Sequence, residues 1–138
     1  MALSFEIQHD GRLVYVLMSE DVTPKQLSDT FAANQRNPEF RLDQPRLVDA
    51  SAVKNVDVGF NEIFALHSFF ARSYKSAGTT MYIAIFAPSD YVFGLARIFQ
   101  NLAEGSDVIK VTIFREMSAA RAWALGHASC SNTAEPQA

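Results

Sequence analysis

Two carboxylates and a hydroxyl crowd one short stretch of the chain: Asp49, Ser51 and Asp57, inside Leu47-Val48-Asp49-Ala50-Ser51-Ala52-Val53-Lys54-Asn55-Val56-Asp57-Val58-Gly59-Phe60-Asn61. Paired carboxylates do acid–base work when their surroundings push their pKa values apart, and Asp49 and Asp57 could meet across a loop. More often such residues cap a helix or fix a turn. Ser51 offers either a regulatory phosphorylation site or a loop serine bonded to its own backbone. No Gly-x-Ser-x-Gly elbow accompanies it, and Cys130 lies in a polar tail with no base nearby. The histidines His9, His67 and His127 have no His or Cys partner at ligand spacing, so no metal site is expected. With no Gly-x-Gly-x-x-Gly run and no P-loop, no cofactor and no catalytic residue is assigned.

The aromatic residues offer a different chemistry. Phenylalanine numbers 11, and Phe60, Phe64, Phe69, Phe70 and Tyr74 crowd one segment. At helical spacing one stripe takes Phe60, Phe64, His67 and Ala71, another takes Ile63, Phe70 and Tyr74, and Leu66 and Phe69 fall outside both. A helix apolar nearly all round must be covered on its second side, by a neighbouring helix, a second subunit or an apolar ligand. Tyr91 and Phe93 open the next helical segment, where Phe93 and Arg97 share a face. Arg97 could pair with an anionic head group, or stack on Phe93 and reach Glu104 or Asp90. A partly buried histidine is the plainer reading of His67, and core packing that of the aromatic stripes. Gly94 in mid-helix is read as allowing close packing of the two aromatic helices.

The elements that must position these residues follow from pattern. Phe5, Ile7 and His9 alternate with polar residues as a short edge strand, Asp10-Gly11 is a turn signal, and Arg12–Ser19 is a second strand. The two form an opening hairpin, or else flank a third strand. Thr23-Pro24 opens a helix with Leu27, Phe31 and Asn34 on its inner stripe, ending near Asn37-Pro38. Phe40 and Leu42 pin the loop that follows. Arg46–Ala50 is a short third strand, buried on both faces as parallel strands are. Its carboxyl end opens into the loop running to Asn61, the place where binding sites sit in open α/β sheets. Residues 60–76 are helical, with Gly78 as the stop. A strand to Ala87, a helix from Ser89-Asp90 to about Glu104, a strand over Ile109–Arg115 and a last helix over Ser118–Leu125 complete the order ββαβαβαβα. That order predicts an α/β domain over residues 1–126, a five-stranded mostly parallel mixed sheet with four helices. Residues 127–138 are expected to form a disordered tail.

Composition bounds the rest. A chain of 138 residues suits one domain, able to bury roughly two-thirds of its unfolded surface without disulfides or metal. The net charge of −3, without a Lys/Arg cluster, argues against nucleic acid. No apolar run is long enough to span a bilayer, and the N-terminal residues lack the pattern of a signal peptide. With a single cysteine, a reducing, cytoplasmic setting is expected.

Several ordered pieces resemble a known family. Asn37-Pro38-Glu39-Phe40 after the first helix, Leu47-Val48-Asp49 at the third strand, Phe93-Gly94-Leu95-Ala96-Arg97 in the third helix, Phe114-Arg115, and Ala119-Ala120-Arg121-Ala122-Trp123 resemble SpoIIAA-like, STAS-related small bacterial domains. The resemblance covers roughly residues 5–126 and implies their fold. In the phosphoswitch members an Asp-Ser-Ser-Gly loop carries the phosphorylated serine; the equivalent stretch here is Asp57-Val58-Gly59-Phe60, with neither hydroxyl.

Two functions are therefore expected as alternatives. One is a non-enzymatic regulatory domain that binds a protein partner through the 49–61 loop and the two aromatic helices, with Phe69 and Leu66 in an exposed patch. The other is a carrier or sensor of a small apolar or lipid-like ligand, as the resemblance implies. Its cleft between helices two and three would be lined by Phe64, His67, Phe70, Tyr91 and Phe93, with Arg97 at the mouth. A homodimer would equally cover a helix with two apolar faces.

Overall fold

The computed structural model of the chain describes residues 3–9, 11–56 and 60–128. β1 (Leu3–Gln8) and β2 (Leu13–Val22) pair antiparallel, with Phe5 opposite Val16. The chain reverses between them through Gly11, whose φ of +85° favours a residue without a Cβ. β1 and β2 are thus direct neighbours in a hairpin. α1 (Pro24–Gln35) is closed at its start by a reciprocal cap. Thr23 Oγ1 accepts from Gln26 N (3.3 Å) while the Gln26 side chain accepts from Thr23 N (2.9 Å). The expected inner stripe of α1, Leu27, Phe31 and Asn34, lies outside the described side chains.

β3 (Arg46–Val56), α2 (Phe60–Ala77), β4 (Met81–Phe86), α3 (Asp90–Ala103), β5 (Ile109–Phe114) and α4 (Met117–Gly126) follow in alternation. The sheet runs β1-β2-β3-β4-β5, with β1 antiparallel and the other strands parallel. This is the mixed α/β sheet expected. A parallel sheet needs cover on both faces. On one face Ala50, Met81, Ile83, Ile85 and Ile109 bury against Phe70 and Tyr74 of α2 and Val92, Ala96 and Ala103 of α3. On the other, Leu13, Leu47 and Ala84 bury against Ala120 and Ala124 of α4, flanked by Tyr15, Phe86, Phe114 and Trp123. Among the described residues no helix is long and apolar enough to cross a membrane.

Three expectations are corrected. β3 does not stop at Ala50 but continues to Val56, and β2 continues past Ser19 to Val22. The polar stretch from Ser51 is strand because its backbone pairs with β2 (Ser19 opposite Ala52, Val22 opposite Val56) beyond the last β4 partner, Asp49 opposite Phe86. Ladder hydrogen bonds do not read side-chain polarity, so composition alone misplaced the loop. Gly94 does not admit a close neighbour either: it is exposed, and a Cβ built there meets nothing within 4 Å. α2 lies instead against the flank of α3 that carries Phe99. Finally, Arg97 neither stacks on Phe93 nor reaches Asp90, because Arg115 takes both positions. Of the expected tail, His127 closes α4 and stacks on Tyr82 at 4.2 Å. Cys130 lies outside the described residues.

An exposed mid-helix glycine costs conformational entropy and contributes no packing. Gly94→Ala should therefore raise stability by about 1 kcal/mol, read as a higher urea midpoint with an unchanged slope. A loss of stability would restore the close-packing role.

Candidate functional site

Asp49 is the centre of a polar cluster on the face covered by α4. It sits on β3, only 7% exposed, where the pairing passes from Leu17–Asp49 to Ser19–Ala52. β3 therefore holds one more residue than β2 at this point, which is a bulge, and a bulge leaves backbone groups without ladder partners. Asp49 supplies the missing acceptor. Its Oδ1 accepts from Ser51 N (3.0 Å) and from Ser51 Oγ (2.7 Å), and its Oδ2 accepts from Tyr15 Oη (2.5 Å). Burial, then the bond to Asp49, pushes the Tyr15 phenol up to about 12. Arg121 of α4 closes the cluster from above, its guanidinium 5.9 Å from the Tyr15 ring and its Nη1 2.9 Å from Gln8 Oε1. The arrangement locks β1, β2, β3 and α4 together. Asp57 lies outside the described residues.

A second group gathers where α2 and α3 begin, at the carboxyl end of the sheet. Asn61 and Phe64 lie in the first turns of α2, and Tyr91 and Phe93 in the first turn of α3. Asn61 is exposed, Phe64 is 51% and Tyr91 50% exposed, and Phe93 is half-buried. α3 starts with Ser89 as its cap, whose Oγ accepts from Val92 N (3.2 Å). Arg115, just past β5, clamps this start. Its Nη1 donates to Asp90 Oδ1 (2.8 Å) and Pro88 O (3.1 Å), and its guanidinium lies 4.3 Å from the centre of the Phe93 ring. Arg97, one turn further along α3, is exposed. The sequence reading missed Arg115; its position directly after a strand, opposite the acidic start of the neighbouring helix, is the signal that could have found it.

The remaining candidates spread around α2. Phe70 is buried in the core. Its neighbour Phe69, 42% exposed, sits with its ring 5.9 Å from that of Phe70 and looks outward. His67 lies in the seam with α3, edge-on to Phe99 at 5.9 Å, and its buried Nε2 has no hydrogen-bond partner. Burial holds its pKa below the ordinary imidazole value. Arg46, read from sequence only as the start of an apolar strand, is also buried. It donates to Tyr74 Oη (2.8 Å) and lies 5.3 Å from the Phe40 ring, which ties the loop before β3 to α2. Burial lowers its pKa. Among the described residues no group of three or more His, Cys, Asp or Glu side chains could hold a metal ion.

Two outcomes test this geometry. Asp49→Ala leaves the Tyr15 hydroxyl and the Ser51 N–H without their acceptor and should cost about 2–3 kcal/mol in urea unfolding, Tyr15→Phe about 1 kcal/mol. In the wild type the Tyr15 phenol should titrate near 12 by its absorbance, against 10.0 for a free phenol. The unfolded chain loses that proton first, so its stabilising contribution is present below pH 10.0 and lost as pH rises toward about 12. His67 works in the opposite direction. Its folded pKa is depressed, so its contribution is present above the free-imidazole value of 6.5 and is lost as pH falls through the folded value. Comparing urea midpoints at neutral and acidic pH should show this loss reduced in His67→Leu; an identical loss in both proteins would place the titrating group elsewhere.

No protein-family model matches the chain, and no curated protein matches it significantly. A solved structure does: an uncharacterised DUF3478-family protein from Shewanella loihica, described as having a SpoIIAA-like fold. The likeness has a TM-score of 0.55 at 11% identity and covers 88% of this chain and 91% of that one. At such identity the match speaks for architecture alone: the chain carries a SpoIIAA-like fold.

Proposed function

We propose that this chain is a non-enzymatic, STAS-like regulatory domain of the cytoplasm that binds a protein partner at the carboxyl end of its sheet. The observation that carries the reading is the exposure of large apolar side chains on two neighbouring helices: Phe64 at 51%, Phe69 at 42% and Tyr91 at 50%. Exposed aromatics with nearby polar and charged groups are typical anchors of protein interfaces. Asn61, Asp90 and Arg115 supply that polar surround here. Arg115 ties the start of α3 to the end of β5, and a surface whose parts are already tied down needs less ordering on binding. A serine switch is left out of the proposal because Asp57-Val58-Gly59-Phe60 offers no hydroxyl. Catalysis is left out because Ser51 Oγ donates to an Asp49 that already serves Tyr15 and the bulge. The alternative, a carrier of an apolar ligand, needs the α2–α3 seam to open between His67 and Phe99, which are in ring contact.

The test is affinity purification of wild type, Phe64→Asp and Tyr91→Asp from the native cells, each variant first checked for its fold by circular dichroism. A protein that co-purifies with wild type and is lost at least about tenfold with both variants is the expected result. If every co-purifying protein is indifferent to both substitutions, the partner reading fails. Native mass spectrometry of the same preparations decides the alternative: an apolar small molecule bound to wild type and lost on His67→Trp would replace the partner reading with the carrier.

A further inference from the structure

Among the described residues β5 ends the sheet, and one of its edges has no strand of the chain beside it. The ladder fixes which of its residues face that edge. Met81 N donates to Val108 O (2.7 Å) and Ala87 N to Phe114 O (2.9 Å), with Met81 opposite Ile109 and Phe86 opposite Phe114. Backbone groups of a strand alternate between its two sides. Lys110, Thr112 and Phe114 therefore face β4, and Ile109, Val111 and Ile113 face outward. The Gln100 side chain of α3 meets this edge from outside: its Nε2 donates to Val111 O at 3.1 Å. A cavity of about 310 Å³ opens along the same edge, bordered by Gln100, Glu104, Lys110 and Thr112.

A strand edge with outward N–H and C=O groups is a template for another strand. We propose that its occupant is a second copy of this chain, with the two β5 strands antiparallel about a two-fold axis at Val111. Two independent features of the surface are self-complementary about that axis. The first is the strand. The outward residues Ile109, Val111 and Ile113 are symmetric about Val111, so Ile109 meets Ile113 of the second copy and Val111 meets Val111, each as a hydrogen-bonded pair. On the α4 side Lys110 then meets Thr112. A slip by two residues toward the start of β5 would oppose Lys110 to Lys110, and like charges directly opposite are destabilising; a slip the other way would oppose Lys110 to Phe114 and lose the symmetric Ile109–Ile113 pairs. The second feature is the helix. Arg97 and Glu104 stand three residues before and four residues after Gln100, on the flank of α3 that reaches the edge, and both are exposed. The two-fold axis reverses the second α3 and brings Arg97 beside Glu104 of the second copy, twice over, as an isologous interface requires. Val111 O has two lone pairs, so the new strand hydrogen bond can form while the Gln100 amide stays or swings away. The pairing leaves Phe64, Phe69 and Tyr91 open, so it stands apart from the partner-binding rim.

Sedimentation of the full chain over a concentration series tests the proposal. Wild type should reach twice its mass of 15.3 kDa. Arg97→Glu alone and Glu104→Arg alone should each weaken the dimer by about tenfold or more, and the double reversal should restore it, because charge contacts set specificity at such a surface. Both residues are exposed, so circular dichroism should be unchanged. Amide exchange by NMR supplies the second measurement. The amides of Ile109, Val111 and Ile113 should gain protection as the dimer forms, while Lys110, Thr112 and Phe114 stay protected throughout. A chain that is monomeric at every concentration, a dimer indifferent to both single reversals, a double reversal that restores nothing, or outward amides that gain no protection in the dimer would each overturn the proposal.

Discussion

A parallel sheet cannot leave a face to water, and most of this molecule follows from that constraint. β2 to β5 run parallel, so β3, β4 and β5 are each reached through a crossover helix, α1, α2 and α3, and the sheet is covered on both faces. The cover is unequal. α2 and α3 bring large side chains to one face, Phe70 and Tyr74 among them. α4 brings the small Ala120 and Ala124 to the other, where Leu13, Leu47 and Trp123 fill the space. A short helix of small residues can lie close to a sheet, and that closeness lets Arg121 reach Tyr15 and Gln8.

Where the cover ends, polar side chains take over the work of holding the backbone. β3 outruns β4 beyond Asp49, and the step is accommodated by a bulge rather than by a loop. The Asp49 carboxylate fits that position because an ionised acid is an acceptor only, with capacity for several donors, and the bulge, Ser51 and Tyr15 all present donors. Arg115 does the corresponding work on the edge strand, tying the end of β5 to the start of α3 through Asp90, Pro88 O and Phe93. These two side chains tie elements together at the carboxyl end of the sheet, where Phe64 is 51% and Tyr91 50% exposed. Exposed aromatics beside helix starts tied down in this way are the physical basis of the proposed partner surface.

Most of the architecture was legible in the chain itself. Thr23-Pro24 and Ser89-Asp90 marked two helix starts, and Gly78, at φ +69°, marked a helix end. Alternating and continuous apolar runs located the strands, because burial on one or both faces writes itself into side-chain type. The candidate site was legible only in part. The approach of Phe64, Tyr91 and Phe93 to one end of the sheet followed from element order alone. The separation of Phe69 from Phe70, neighbours in sequence but one exposed and one in the core, depended on how α2 is rotated against the sheet.

By itself the sequence determined the period of each segment, the caps, the turns and hence the order of strands and helices, all of which depend on residues close together along the chain. Tertiary structure alone decided the length of β3, the donors that surround Asp49, the capture of Phe93 and Asp90 by Arg115 instead of Arg97, and the burial of Arg46 against Tyr74 and Phe40. The physical reason is common to them. Ladder pairing, charge-assisted hydrogen bonds and cation–π contacts form between groups far apart in sequence, and their partners are set by the relative placement of whole elements, which no local pattern encodes.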